Sequence, residues 1–347
     1  MRSIVFVGRA LDHIFFPGFR RQQIARPVYI VGSPRSGTTF LHSLLALDEE
    51  RFTSLKLYET LFPSIVICRT IEAAAGLDRL IGRPIGKLTA WVETRAFGGW
   101  DDVHGTAFAR HEEPEGTWVL KMATPAVYLL FPFFDEMPEL ESLELLHSER
   151  ARCSAIRFYL GTLRRHLYLD ARRGVERTLL VKTVLFPSRI EAVMEALPDI
   201  RFVYLMRDPR RTVASALSML TMPWKVHSPG IVGSTPETAR FADVFIEGYR
   251  KYLRARAETP PERWLTIDFA DMTGDPDDAV RRIYDYLDLD LDDHLAERLR
   301  VAARTADNRR SMHRYTLEQF GLTAGDIERA LPEVVAEAVA APPAPSP

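Results

Sequence analysis

Residues 27–41 read PVYIVGSPRSGTTFL, and the fold turns on them. A short apolar run at residues 28–31 is strand-like and ends at Gly32. Five positions later comes Gly37, and then Thr38 and Thr39 open a stretch with Phe40, Leu44 and Leu47 on one helical face. A strand, a glycine-flanked loop and a helix N-terminus together make a phosphate cradle. Glycine permits positive φ, so successive N–H groups can converge on one anion, and the helix end adds its partial positive charge. Ser33, Ser36, Thr38 and Thr39 bring hydroxyl groups, and Arg35 brings a cation. The nucleoside-triphosphate version of this loop is G-x-x-x-x-G-K-[ST]. Here Thr38 stands where its lysine would be, and the cation lies three positions earlier. That set suits a single 5′-phosphate joined to a smaller acyl-type group better than a triphosphate.

A second anion motif lies at residues 204–219, YLMRDPRRTVASALSM. Arg207 ends an apolar strand, Asp208 is a good helix N-cap and Pro209 a good first helical residue. Ser215 follows Arg207 by eight positions, about two helical turns into the next helix. Arg210 and Arg211 add local positive charge.

The stretch PVYIVGSPRSGTTFLH closely resembles the 5′-phosphosulfate loop of sulfotransferases that use 3′-phosphoadenosine 5′-phosphosulfate (PAPS). It is most similar to the bacterial branch that carries arginine in the loop. The resemblance implies that Ser33, Arg35, Ser36, Gly37, Thr38 and Thr39 bind the 5′ end of the donor, and that Arg207 and Ser215 bind its 3′-phosphate. It also implies a lysine after the strand TLLV at residues 178–181, which is Lys182, to neutralise charge beside Arg35. Two candidates for the general base follow. Glu59, in SLKLYETLFP, is expected at the end of a second strand near residues 53–57. His104, in DDVHGTAFARHEEPE, is followed eight residues later by Glu112 and Glu113, with Pro114 where similar sequences have a third acid. Glu112 and Glu113 otherwise read as a solvated face. Residues 312–322, MHRYTLEQFGL, look like a C-terminal stretch of the same branch. Either Arg309, Arg310 or Arg314 closes over the nucleotide there, or Tyr315, Leu317 and Phe320 dock the segment.

Strand-like runs recur at residues 178–181, 201–206 and 264–267; a helix is expected over residues 187–197 after the first, another after the second, and a turn, DMTGDP, then a helix over about 277–286 after the third, which argues for a parallel sheet covered on both faces. The expected fold class is α/β: a P-loop NTPase-like central parallel β-sheet flanked by helices, with a helical insertion at about residues 61–175. The expected organisation is an N-terminal arm (1–26), one sulfotransferase-like domain (27–340) and a disordered tail (341–347) of composition APPAPSP. Ligands of such sheets bind beyond the carboxyl ends of the strands.

The 347-residue chain has a formal net charge of −2, which offers no global field for nucleic acid. Its two isolated cysteines, Cys68 and Cys153, point to a reducing, cytoplasmic setting, and no metal is required because fixed cations take its place. No secretory signal is expected, and the longest apolar run, AVYLLFPFF, is too short to cross a bilayer. The aromatics and arginines around residues 14–21 read as a packed arm or, more sharply, as contact with a membrane surface. Aromatic residues of the insertion (Phe62, Trp91, Phe97, Trp100, Phe108, Trp118) read as core or, more sharply, as a hint of a lipophilic or glycolipid acceptor hydroxyl; a small-molecule or carbohydrate acceptor, polysaccharide ends included, is the alternative, with an amine as the lesser option. Two rival functions remain. One is a P-loop kinase-like phosphotransferase, supported by Asp268 after the strand WLTI and opposed by Thr38. The other is a non-catalytic membrane-surface or partner-binding protein on the same fold.

Overall fold

The computed structural model describes residues 1–80, 82, 86, 111–307 and 315–340. Five parallel strands form one sheet: β1 (Val28–Gly32), β2 (Phe52–Thr53), β3 (Thr178–Thr183), β4 (Arg201–Met206) and β5 (Trp264–Asp268). Their order is β2-β3-β1-β4-β5, so the phosphate-loop strand is central, with β3 and β4 on either side. Register pairs Ile30 with Lys182 and with Val203. The described helices are α1 (Arg2–Phe15), α2 (Thr38–Leu45), α3 (Leu57–Leu61), α4 (Ile65–Leu80), α5 (Glu115–Val119), α6 (Glu149–Ala171), α7 (Ile190–Ala196), α8 (Pro209–Leu220), α9 (Met222–His227), α10 (Pro236–Glu258), α11 (Phe269–Gly274), α12 (Pro276–Tyr286), α13 (Asp293–Asp307), α14 (Ala324–Ala330) and α15 (Pro332–Ala340).

Strand periodicity sends alternate residues to opposite faces. Val28, Ile30, Leu180, Val203, Leu205 and Ile267 pack against α2 and α12 on one side. Tyr29, Val31, Leu179, Val181, Phe202 and Tyr204 pack against α6 and α7 on the other. Both faces are therefore apolar, as a parallel sheet requires. Lys182 shares parity with Leu180, and this places it on the α2 side, under the loop.

Three local expectations change. The second strand is only Phe52–Thr53, and residues 57–61 turn into α3. A capping box explains the switch: Glu59 reaches back to the Lys56 N–H at 2.7 Å and fixes a helix start. The helix expected over residues 187–197 begins at Ile190, after a 3₁₀ turn over Phe186–Arg189. The DMTGDP turn is mostly helical (α11), with the Asp268 carboxylate accepting the Ala270 N–H at 2.6 Å as its N-cap.

Between β2 and β3 lie α4, α5 and α6, together with short 3₁₀ turns. Trp118 is core there, its ring tilted against that of Tyr159 with centres 4.6 Å apart. Leu317 and Phe320 are buried among residues of α8 and α10, so this part of the C-terminal stretch docks. His104, the other insertion aromatics (Trp91, Phe97, Trp100, Phe108), Arg309, Arg310, Arg314 and the tail lie outside the described residues.

Candidate active site

The loop after β1 owes its shape to two residues with positive φ, Arg35 at +69° and Gly37 at +88°. Glycine adopts this conformation freely, whereas an arginine pays about 1–2 kcal/mol for it. Such strain persists only where the surroundings impose it, and functional sites are where it collects. The Ser36 N–H closes the turn on the Ser33 carbonyl at 3.1 Å. A Cβ on Gly32 would lie 2.6 Å from Ser36 Oγ and 2.7 Å from the Leu205 carbonyl, so only glycine lets the loop fold down onto β4. The Ser36 hydroxyl is buried and has no hydrogen-bond partner among the described residues. A buried polar group without a partner is costly, and a ligand oxygen is one way to satisfy it.

The second motif meets this loop directly. Asp208 caps α8 by accepting the Arg210 N–H at 2.9 Å, which fixes the direction in which Arg207 leaves β4. The Arg207 guanidinium lies 3.9 Å from the centre of the Phe269 ring and donates to the Arg35 carbonyl. The Arg35 Nε in turn donates to Ser215 Oγ at 3.3 Å. Neither arginine is paired with a carboxylate among the described residues. Burial, together with the like charges of Arg35 and Arg211 and against the pull of Tyr249, lowers the Arg207 pKa to about 10. It still carries its charge at neutral pH, and an anion would relieve the repulsion.

Lys182 is 2% exposed. Its Nζ donates to Thr39 Oγ1 at 3.2 Å and pairs with Glu113 Oε1 at 3.0 Å. The other oxygen of Glu113 accepts the Val184 N–H at 3.1 Å, at the carboxyl end of β3. His42, on α2, is buried beside them. Burial first, then the charge of Lys182, pushes its pKa down to about 3, so it is neutral where Lys182 is charged.

Glu59 is placed differently. Its Oε1 accepts from His166 Nδ1 at 2.9 Å, and His166 Nε2 lies 2.9 Å from Thr53 Oγ1. Burial opposes both charges. The pairing overrides it, so the Glu59 carboxyl falls below its ordinary value and the His166 imidazole rises above its own. None of the hydrogen bonds that Glu59 makes among the described residues reaches the loop. The sequence reading gave Glu113 no more weight than a solvated face. Its spacing from His104 was the one available signal.

A cavity of about 410 Å³ opens beside Ser33 and Pro34, lined further by Val184, Leu185, Phe245 and Tyr252 and, away from the loop, by charged side chains that include Glu144, Glu191, Lys251 and Arg254. It therefore begins where the loop and the end of β3 meet.

A parallel sheet of this order, with a glycine-flanked loop leading from its central strand into a helix, defines a P-loop-like fold. The chain belongs to the sulfotransferase family, whose sequence model matches residues 27–293. The omega-hydroxy-beta-dihydromenaquinone-9 sulfotransferases Stf3 of Mycobacterium bovis and Mycobacterium tuberculosis are each 26% identical to it over 299 residues, 84% of this chain and 71% of theirs. Among solved structures, sulfotransferase STF9 from Mycobacterium avium superposes with a TM-score of 0.72 at 19% identity, over 94% of this chain and 80% of its own. Sulfotransferase STF1 from Mycobacterium tuberculosis gives 0.67 at 22% identity, over 92% and 80%. These two likenesses show the fold.

Proposed function

We propose that this sulfotransferase takes its sulfuryl group from PAPS and delivers it to a hydroxyl carried on an apolar body. The observation that carries the reading is the contact between Arg35 and Ser215, with Arg207 on the Arg35 carbonyl. Two anion motifs 180 residues apart form one continuous surface, as a nucleotide phosphorylated at both ends needs. The orphaned Ser36 hydroxyl and the two arginines without carboxylates fit such a ligand.

In this reading Ser36, Gly37, Thr38, Thr39 and Arg35 hold the 5′ end, Ser33 shapes the turn, and Arg207 and Ser215 hold the 3′-phosphate. PAPS supplies the sulfuryl group: the acceptor oxygen bonds to sulfur as the bond from sulfur to the 5′-phosphate oxygen breaks, and the hydroxyl proton passes to a protein base. Lys182, held against Thr39, places its charge where negative charge grows. Glu113 is the carboxylate set beside Lys182, and we assign it the proton in preference to Glu59, which is engaged with His166. His104 is the second candidate for that role. The cavity at Pro34 and Val184 takes the acceptor, in keeping with the hydroxylated menaquinone derivative in the name of the mycobacterial relatives.

The kinase reading loses its main support, because the Asp268 carboxylate is spent on capping α11. The test is turnover: wild-type protein supplied with PAPS and a long-chain alcohol should release 3′-phosphoadenosine 5′-phosphate (PAP). Binding of PAP with no release across lipid and carbohydrate alcohols would favour the non-catalytic reading. Phosphoryl transfer from ATP would overturn the proposal.

A further inference from the structure

Helix α1 holds the protein by one face and leaves apolar side chains exposed on the other. On the inner face Val5, Gly8 and Asp12 are buried. A Cβ on Gly8 would stand 2.5 Å from the Ile67 side chain, so α1 and α4 touch backbone to side chain. The Asp12 carboxylate accepts from Arg165 at 2.7 Å, from Ser64 Oγ at 3.0 Å, and from the N–H groups of Ile65 and Val66 at 3.1 and 2.9 Å. It thereby caps α4 and fastens α1 to α6. The helix is thus fixed to the body of the protein, and among the described residues its other face is left exposed.

That outer face carries Phe6, Val7 and Ile14, exposed by 75%, 55% and 69%. With Ala10 they recur at helical spacing, opposite Val5, Gly8 and Asp12. Met1, Ile4 and Phe15 are exposed as well. The charge around it has one sign. Residues 1–26 contain five arginines (Arg2, Arg9, Arg20, Arg21, Arg26) and one acid, Asp12, which is buried against Arg165. Arg2, Arg20 and Arg21 are exposed. This runs against the chain as a whole, whose net charge is −2.

We propose that α1 and the turn after it dock the protein on an anionic lipid surface. Large apolar side chains enter the headgroup region while the arginines meet lipid phosphates. No described helix is long and apolar enough to cross a membrane, so the helix lies on the surface. Charge selects this occupant over a second copy of the chain. Two copies pairing through the same face about a two-fold axis would bring the exposed arginines of one copy (Arg2, Arg20 and Arg21) towards those of the other.

The test is co-sedimentation of the full chain with vesicles of phosphatidylcholine alone and of an equal mixture with phosphatidylglycerol. The protein should pellet with the mixed vesicles, less with the neutral ones, and less as salt rises. Phe6→Glu/Val7→Glu/Ile14→Glu should lower the partition by at least about tenfold with an unchanged melting temperature. Arg20→Glu/Arg21→Glu, which alters no apolar contact, should lower it by about tenfold or more on the anionic vesicles alone. The proposal is overturned if wild type stays in the supernatant with both vesicle types. It is overturned equally if both variants bind like wild type. A wild-type dimer in sedimentation velocity that the apolar triple variant splits to monomers would assign the face to a second copy instead.

Discussion

Two buried pairs of cation and carboxylate lie against the same sheet. Lys182 and Glu113 approach to 3.0 Å, and His166 and Glu59 to 2.9 Å. All four side chains are nearly sealed from solvent. Their remaining contacts separate them. The first pair continues to Thr39 of the phosphate loop and to the Val184 N–H at the carboxyl end of β3, where the cavity opens. The second continues to the Lys56 N–H and Thr53 at the edge strand. One pair borders a place where a ligand can sit, and the other ties α3 to α6. Burial and charge by themselves do not tell a reactive carboxylate from a structural one. What differs is where each partner cation leads: Lys182 reaches Thr39 of the loop after β1, and His166 reaches Thr53 of the edge strand.

The largest effect that would sharpen this contrast is on turnover. Glu113→Gln should lower kcat by about 10²–10⁴-fold, the usual worth of a general base, with PAP affinity retained. Equal loss in His104→Gln with normal turnover in Glu113→Gln would move the base to His104. Lys182→Ala should cost about 2.7–4 kcal/mol of transition-state stabilisation, read from kcat/KM in steady-state assays. Glu59→Gln should do the reverse of Glu113→Gln. It should cost about 3 kcal/mol of stability in denaturant titrations by leaving His166 without its partner, and leave kcat within a few-fold while the protein is folded. A collapse of kcat in that variant would erase the contrast between the pairs.

The smallest effect is its pH dependence. His166 has a raised pKa in the fold, so its share of stability is complete below the ordinary imidazole value of 6.5 and fades as pH climbs through the raised value. Glu59 has a lowered pKa, so its share is complete above the ordinary carboxyl value of 4.5 and fades as pH falls through the lowered one. The stability difference between wild type and Glu59→Gln should therefore be greatest between these values and shrink on either side. A difference that does not change with pH would show that the pair is not ionised.

The parts of the site that are contiguous in the chain were legible in the sequence. Glycines at positions 32 and 37, a cation in the loop, and an arginine eight residues ahead of a serine each express a local backbone requirement. Lys182 is read in the sequence from its place at the end of the strand-like run TLLV, and the structure sets it on the α2 side, against Thr39. Glu59 and Glu113 could not be told apart in this way. The start of α3 depends on a side chain returning to its own helix end, which overrides the strand-like alternation of residues 55–58. Glu113 is positioned by Lys182, 69 residues later, and its spacing from His104, the one local signal, does not announce that contact. The edge strand β2 was overdrawn for a related reason: at two residues it is held by β3 rather than by its own pattern.

The central claim is that the loop at Arg35 and the pair Arg207 and Ser215 hold two ends of one nucleotide. Calorimetry with PAP, against ATP with magnesium, tests it most directly. PAP should bind wild type at one site, Arg207→Ala should weaken it by about 1.5–3 kcal/mol, the worth of a hydrogen bond to a charged group, and ATP should not compete. PAP binding that is indifferent to Arg207→Ala, or displaced by ATP with magnesium, would contradict the account.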